Sequence, residues 1–376
     1  MAEYLTNTTD LTKVASAIRE KGGTSAPLVY PDGFVSAVQA IQTGTELQII
    51  ATVTSGATVT ATKGSLSVSG TSVNGTCTLT VPEAGTWSVS ATLNGQTSDT
   101  KSVTFKDSYA LSLFLVSAVL NDNDWATIKA VSDKGEGANY WSIGDRKAVT
   151  LNGTVGHLSL SNYTTYAFII GFNHNASVEG ANRIHFQLAK TALSGGTDIA
   201  FCDSSYNSSV STTGYFSMNS SRTDSGGWAS SQMRTNICGT SLSSYSGTII
   251  AVIPAALRAV LKSVTKYTDN TGNESTAASA VTATTDYFFL LSEFEVFGSI
   301  SYANSNESSK QAQYAYYSAG NSTIKYKHDG TSTDARWWLR CPRADYSGRF
   351  AIVRTDGTVS SLSANGSLGF APGFCV

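Results

Sequence analysis

This sequence is short of charge. Asp, Glu, Lys and Arg make up 14% of its 376 residues, against an average of roughly 25%. The formal net charge of −2 gives no electrostatic reason to expect nucleic acid as a partner. No run of about 18 apolar residues occurs, so no membrane insertion is expected. The apolar stretch from Tyr109 to Leu120 stops at Asn121-Asp122-Asn123-Asp124. The opening Met1-Ala2-Glu3-Tyr4-Leu5 lacks the basic region and apolar core of a signal peptide. Synthesis and folding in a cytosol are therefore expected, with any exposure outside reached by another route.

Patterns that carry chemistry are also missing. The four histidines, His157, His174, His185 and His328, form no metal spacing such as HExxH. No Gly-rich phosphate loop follows a strand. No pair of carboxylates stands out for glycoside hydrolysis. Five cysteines, Cys77, Cys202, Cys238, Cys341 and Cys375, form no CxxC and are odd in number. They read as reduced, buried thiols, with a Cys341–Cys375 bridge as the alternative. Asn121–Asp124 and Asp269–Glu274 could attract calcium, but neither has the ligand spacing of an EF-hand loop. Such clusters usually form turns or caps. The expectation is a protein that is not an enzyme and needs no cofactor or metal.

What fills the deficit is Ser, Thr, Gly and Asn, with 17 Tyr and 6 Trp. That is the profile of a β-rich protein with hydroxyl-covered surfaces. A hydrophobic content of 41% excludes wholesale disorder. The expected fold is multidomain and mainly β, with an α+β C-terminal domain, in three regions: 1–46, 47–106 and 107–376, the last with its core at about 139–376.

In the first region, Thr9 or Asp10 can cap a helix bearing Leu11, Val14, Ala15 and Ile18, stopped at Gly22-Gly23. Pro31-Asp32-Gly33 starts a second, with Phe34, Val35, Val38 and Ile41 on one face and Gly44 at its end. Helices this short are marginal alone, so they are expected to dock, on a partner or across an oligomer. Leu11 to Ser25 and Tyr30 to Val38 resemble a segment common in tail-fibre and tail-tip proteins of phages infecting Gram-positive gut bacteria. The resemblance covers about thirty residues. It implies attachment to other phage tail proteins through residues 1–44, location in a virion, and a homo-oligomer, with a trimer as one form.

From 47 to 106 the pattern alternates with period two. Strands are expected at 47–53, 57–61, 65–69, 76–81, 86–91 and 102–105, separated by turn signals such as Asn74-Gly75 and Asn94-Gly95. Short strands at this spacing argue for a small β-sandwich with Trp87 in its core. The stretch resembles the immunoglobulin-like or carboxypeptidase-regulatory-like spacers of phage and surface proteins.

The third region is organised around Arg336-Trp337-Trp338-Leu339-Arg340-Cys341-Pro342. Two alternating runs follow, 349–353 and 358–362, joined through Asp356-Gly357, a dipeptide suited to a tight type I′ turn. The apolar end, Gly369 to Val376, must be buried. Upstream, Asp124 caps a helix over 125–131. Strands are expected at 148–151, 157–160 and 166–171, and helices at 228–234 and 253–261. The Ser/Asn/Gly runs 203–225 and 303–323 read as solvated loops.

Tyr140 to Asp145, Gly227-Trp228, Met233-Arg234, Ile253-Pro254, Leu290 to Ser292, Glu295 to Gly298 and Trp337 to Arg340 together resemble one uncharacterised domain family. Its hallmarks are a Trp-Trp-Leu-Arg-Ser-Pro box and an Asp-Gly hairpin. The resemblance implies a C-type-lectin-like fold, shared by formylglycine-generating enzymes and by variable receptor-binding proteins of diversity-generating retroelements. Cys341 departs from the family's Ser, and Gly369 to Phe374 lacks its usual Arg before Pro.

By position, the resemblance implies a ligand surface of Arg343, Asp345, Tyr346, Ser347 and Arg349, then Ser361, Ser363 and Asn365. Tyr and Arg make good anchors, and Ser and Asn give adaptable hydrogen bonds. The run Tyr314-Ala315-Tyr316-Tyr317 is read as an exposed aromatic platform, with Tyr316 and Tyr317 added to the ligand set. The partner implied is a bacterial surface glycan or protein. The competing expectation is a structural tail component that binds another virion protein.

Overall fold

The computed structural model describes residues 8–22, 27–40, 46–105, 108–211 and 216–376. The protein is mainly β, 38% strand and 22% helix, with several separate sheets. It divides into two compact units, Met1–Leu115 and Val116–Val376.

The first unit opens with helices Thr8–Gly22 and Asp32–Ala40. Thr9 and Asp10, read as the cap, lie within the first turn of the first helix. Gly23 and Gly44, read as stops, fall outside the described residues. Two sheets follow. One has the order 76–81, 47–52, 109–112; the other has the order 66–71, 58–63, 85–93, 96–97, with 101–105 also paired to 85–93. Period-two alternation sends Cys77, Leu79 and Val81 inward from one sheet. Val59, Ala61, Trp87 and Val89 come from the other, and all share one core. Tyr109–Ser112, assigned by sequence to the third region, pairs in parallel with Leu47–Thr52. Leu113 and Leu115 are buried with it. The apolar run from Tyr109 to Leu120 disguised this boundary, because it serves both units.

The second unit is built on a five-stranded sheet in the order 288–289, 373–375, 184–190, 158–172, 146–155. The expected short strands at 148–151, 157–160 and 166–171 merge into one long hairpin, Arg146–Val155 with Leu158–Phe172. Strand 184–190 is buried along its whole length, as a central strand covered on both faces is. Residues 373–375 pair between it and Phe288–Phe289, so residues 369–376 are buried as expected.

Asp124 does cap helix Trp125–Asp133, accepting from the Thr127 amide at 2.7 Å. The helix expected at 228–234 is split, into Gly227–Ser230 and a wider π-type turn at Met233–Cys238. The one expected at 253–261 shortens to Ala255–Arg258 behind Pro254.

Strands Trp337–Pro342, Arg349–Val353 and Val359–Ser363 form a three-stranded sheet. Both Trp337 and Trp338 are fully buried. Their indole N–H groups donate to Thr323 O at 3.0 Å and Phe216 O at 2.7 Å. The hairpin is present, but its turn is not type I′. Its ladder closes at Val353–Val359, leaving five residues in the loop. Gly357 has φ +83° and donates to Arg354 O at 3.0 Å, while Asp356 keeps negative φ and caps Thr358 through its side chain.

The runs 203–225 and 303–323 are not simply solvated. Of their described residues, Asp203, Asp224, Asn304, Glu307 and Tyr314 are buried. All five cysteines are buried and free, so Cys341 and Cys375 are not bridged.

Candidate recognition surface

Beneath the surface lies a buried ionic cluster. Arg340 projects from the Trp337–Pro342 strand and is fully buried. It grips both carboxylate oxygens of Glu295, at 2.5 and 2.9 Å, and donates to Leu290 O at 2.9 Å and Thr268 Oγ1 at 2.7 Å. Glu295 is held in place by a capping box at the start of helix Glu293–Phe297. Lys266 Nζ joins Glu295 at 2.9 Å to Glu179 at 2.6 Å and donates to Tyr314 OH at 2.8 Å. Burial alone would raise the Glu295 carboxyl; Arg340 and Lys266 outweigh it and hold it below the usual carboxylate range. His174 stacks on Tyr314 with ring centroids 3.8 Å apart. Burial and nearby Lys266 lower its imidazole to about 3.

His174, Glu179 and Glu295 bring ligand-type atoms within 4.8 Å of one another. They do not fit a metal ion, because two resident cations already occupy the carboxylates and a further cation would meet both. The cluster locks the frame. The calcium candidates are likewise consumed internally. Asp269 Oδ1 accepts from the Thr271 and Gly272 amides at 2.8 and 2.9 Å, and Asn121 Oδ1 from the Ala148 amide at 2.9 Å.

Cys341 has a hydrogen-bonding role. Its thiol donates to Glu307 Oε2 at 2.9 Å. Burial raises this thiol, and Glu307 adds to the shift. Burial also pushes Cys375 up to about 12. Both remain thiols at neutral pH, which is unsuited to thiolate chemistry.

The strand that carries Arg340 delivers Arg343 to the surface. The loop 343–349 is pinned at four backbone amides by four different partners. Arg343 N donates to Arg349 O at 2.9 Å and Ala344 N to Tyr302 O at 2.8 Å. Ser347 N donates to Glu274 Oε1 at 3.0 Å and Gly348 N to Asp224 Oδ1 at 2.8 Å. On this fixed loop Tyr346 is 43% exposed. Arg222, Arg343 and Arg349 place their guanidinium carbons 5.4, 5.6 and 4.8 Å from its ring centroid. Arg222 also donates to its hydroxyl at 2.9 Å. Arg343 is forked onto Asp345, at 2.5 and 3.1 Å; that hydrogen bonding raises the guanidinium and lowers the carboxyl. Cations over an aromatic face attract it by its quadrupole.

The structure therefore brings Arg343, Asp345, Tyr346, Ser347 and Arg349 together. Ser361 is buried, and its hydroxyl accepts from Arg343 at 2.9 Å, so it supports the surface rather than displaying itself. Ser363 sits opposite Arg349 in the ladder and is half-buried, as is Asn365. Tyr316 and Tyr317 are corrections: they are 5% and 4% exposed. Tyr317 donates to Gln187 Oε1 at 2.6 Å, and Tyr314 lies in the ionic cluster. A Tyr-rich run needs a wet surface to be a platform, and here the rings fill the core. The sequence reading missed Arg222, Glu274 and Tyr302. Arg222 was hidden in a polar run read as solvent-facing, and no local spacing links any of the three to Tyr346.

Residues 209–376 match the family described as a domain of unknown function (DUF6273). No curated protein and no solved structure matches the chain.

Proposed function

We propose that this chain is a receptor-binding protein of a phage tail, gripping a bacterial surface glycan or protein through the Tyr346 surface. In this reading the second unit is a C-type-lectin-like domain, and its loop is of the kind that retroelements diversify. The two-sheet part of the first unit is an immunoglobulin-like spacer. The N-terminal helices attach the chain to other tail proteins and to its own copies in the virion. Val14, Val35 and Val38 are about half exposed there, and lie along a groove with Ile18 and Phe34.

One observation carries the reading. An exposed tyrosine ringed by three arginines stands on a loop whose backbone is fixed at four points, above a frame with no exposed residue from Trp337 to Pro342. A backbone held this firmly lets outward side chains change without unfolding the domain. The aromatic and arginine side chains are the kind that anchor interfaces.

An array of bacterial surface glycans probed with the full-length chain tests this. Retention of a subset of glycans is the expected result. No retention on the array or on whole bacteria, with binding to purified tail proteins instead, would replace it with the structural tail reading.

A further inference from the structure

We propose that the second unit also holds a pocket for a small hydroxylated anion, a carboxylate- or phosphate-bearing sugar or its like, separate from the Tyr346 surface. The cavity measures about 540 Å³, within the range of roughly 300–1,000 Å³ usual for small-molecule sites. It lies where the Arg146–Val155 and Ile184–Lys190 strands meet residues 196–198 and the segment 316–326, and no residue of the Tyr346 surface lines it.

Its charge is unbalanced. Asp198 is the one acid in the lining, and it is already bound by Lys190 Nζ. Lys190 also donates to Tyr316 OH at 2.9 Å. Arg146 spends its hydrogen bonds on neutral acceptors, Ala192 O at 2.7 Å and Gly195 O at 2.5 Å. Among the described residues no carboxylate pairs with it. Behind the wall Lys325 is fully buried, and its Nζ has no hydrogen-bond partner. It rests 5.6 Å from the Phe168 ring and 5.1 Å from the Trp337 ring. Burial lowers its ammonium to about 8, which leaves it largely charged at pH 7.

Three cations thus share one carboxylate. An unpaired buried charge is costly, and an anion entering the cavity would offset that cost through the field of Lys325 and by contact with Arg146. The rest of the lining is suited to hydroxyls. Asn321, Ser322 and Thr331 stand at the exposed rim, and Tyr316 turns its hydroxyl inward from a buried ring.

The test is calorimetric titration of the full-length chain with glucuronate, glucose 6-phosphate and neutral glucose. At least one anion should bind about tenfold more tightly than glucose, and its affinity should fall as NaCl is raised from about 50 to about 500 mM. Preference for glucuronate identifies a carboxylate ligand; preference for glucose 6-phosphate identifies a phosphate. Thr331→Glu sets a like charge at an exposed rim position that bears no core packing. It should weaken anion binding about tenfold or more with unchanged melting temperature. Arg146→Gln should weaken it similarly. Anions that bind no better than glucose, or wild-type affinity in both variants, would overturn the proposal.

Discussion

Arg340 shows how one residue decides whether the frame holds. Its charge is buried, and it is stable only because Glu295 answers it with two oxygens and Leu290, Thr268 and Tyr267 take the remaining donors. Removing one partner of a buried pair leaves the other uncompensated. Arg340→Met should therefore cost about 3 kcal/mol or more in urea unfolding, although methionine fills much of the space. Glu307 makes a different prediction. Burial pushes its carboxyl up from 4.5 to about 7, so the folded protein holds this proton more tightly than the unfolded chain does. The stability it contributes is full below pH 4.5 and is lost as pH rises through about 7. Unfolding at pH 5 and pH 8 should show the wild type losing more stability over that interval than Glu307→Gln. An equal loss in both would assign the slope to other groups. Tyr346 is the reverse case, exposed and held by cations, so its replacement should affect partners and leave the fold alone.

At the scale of elements, the decisive feature is the loop from Arg343 to Arg349. Gly348 has φ +70°, and a Cβ there would come within 2.8 Å of Arg222 O. Gly348→Ala should cost more than about 1 kcal/mol and should move Tyr346 and Arg222 apart, seen as altered tyrosine fluorescence or NMR shifts. Much of this region was legible in the sequence: the tryptophan pair, the hairpin and the buried end each follow from local pattern. The turn type was not, because Asp-Gly also serves a wider loop in which only the glycine needs positive φ. The helix at 228–234 was misread because Gly226 and Gly227 and the wider turn after Gln232 break a periodicity that looked continuous. The partners of the loop were illegible for a topological reason. Asp224, Glu274 and Tyr302 reach it from segments 42 or more residues away in sequence, a separation no periodicity encodes. Tyr316 and Tyr317 failed similarly: composition suggests exposure, whereas burial depends on what packs above.

At the scale of the molecule, five buried thiols report on global folding. None should react with a thiol reagent in the native protein, and all five should react in urea. Fast native labelling of any one would contradict its burial. The two compact units divide the proposed labour, one displaying the recognition surface and the other supplying reach and attachment. Several copies on one virion would convert weak single contacts into firm adhesion without any new contact. The central claim is that the Tyr346 surface grips a bacterial cell. The most direct measurement is binding of labelled full-length protein to a panel of bacteria, with Tyr346→Ala alongside. The account predicts saturable binding to some strains, reduced at least about tenfold in the variant, with no change in melting temperature. Equal binding by both proteins would contradict it.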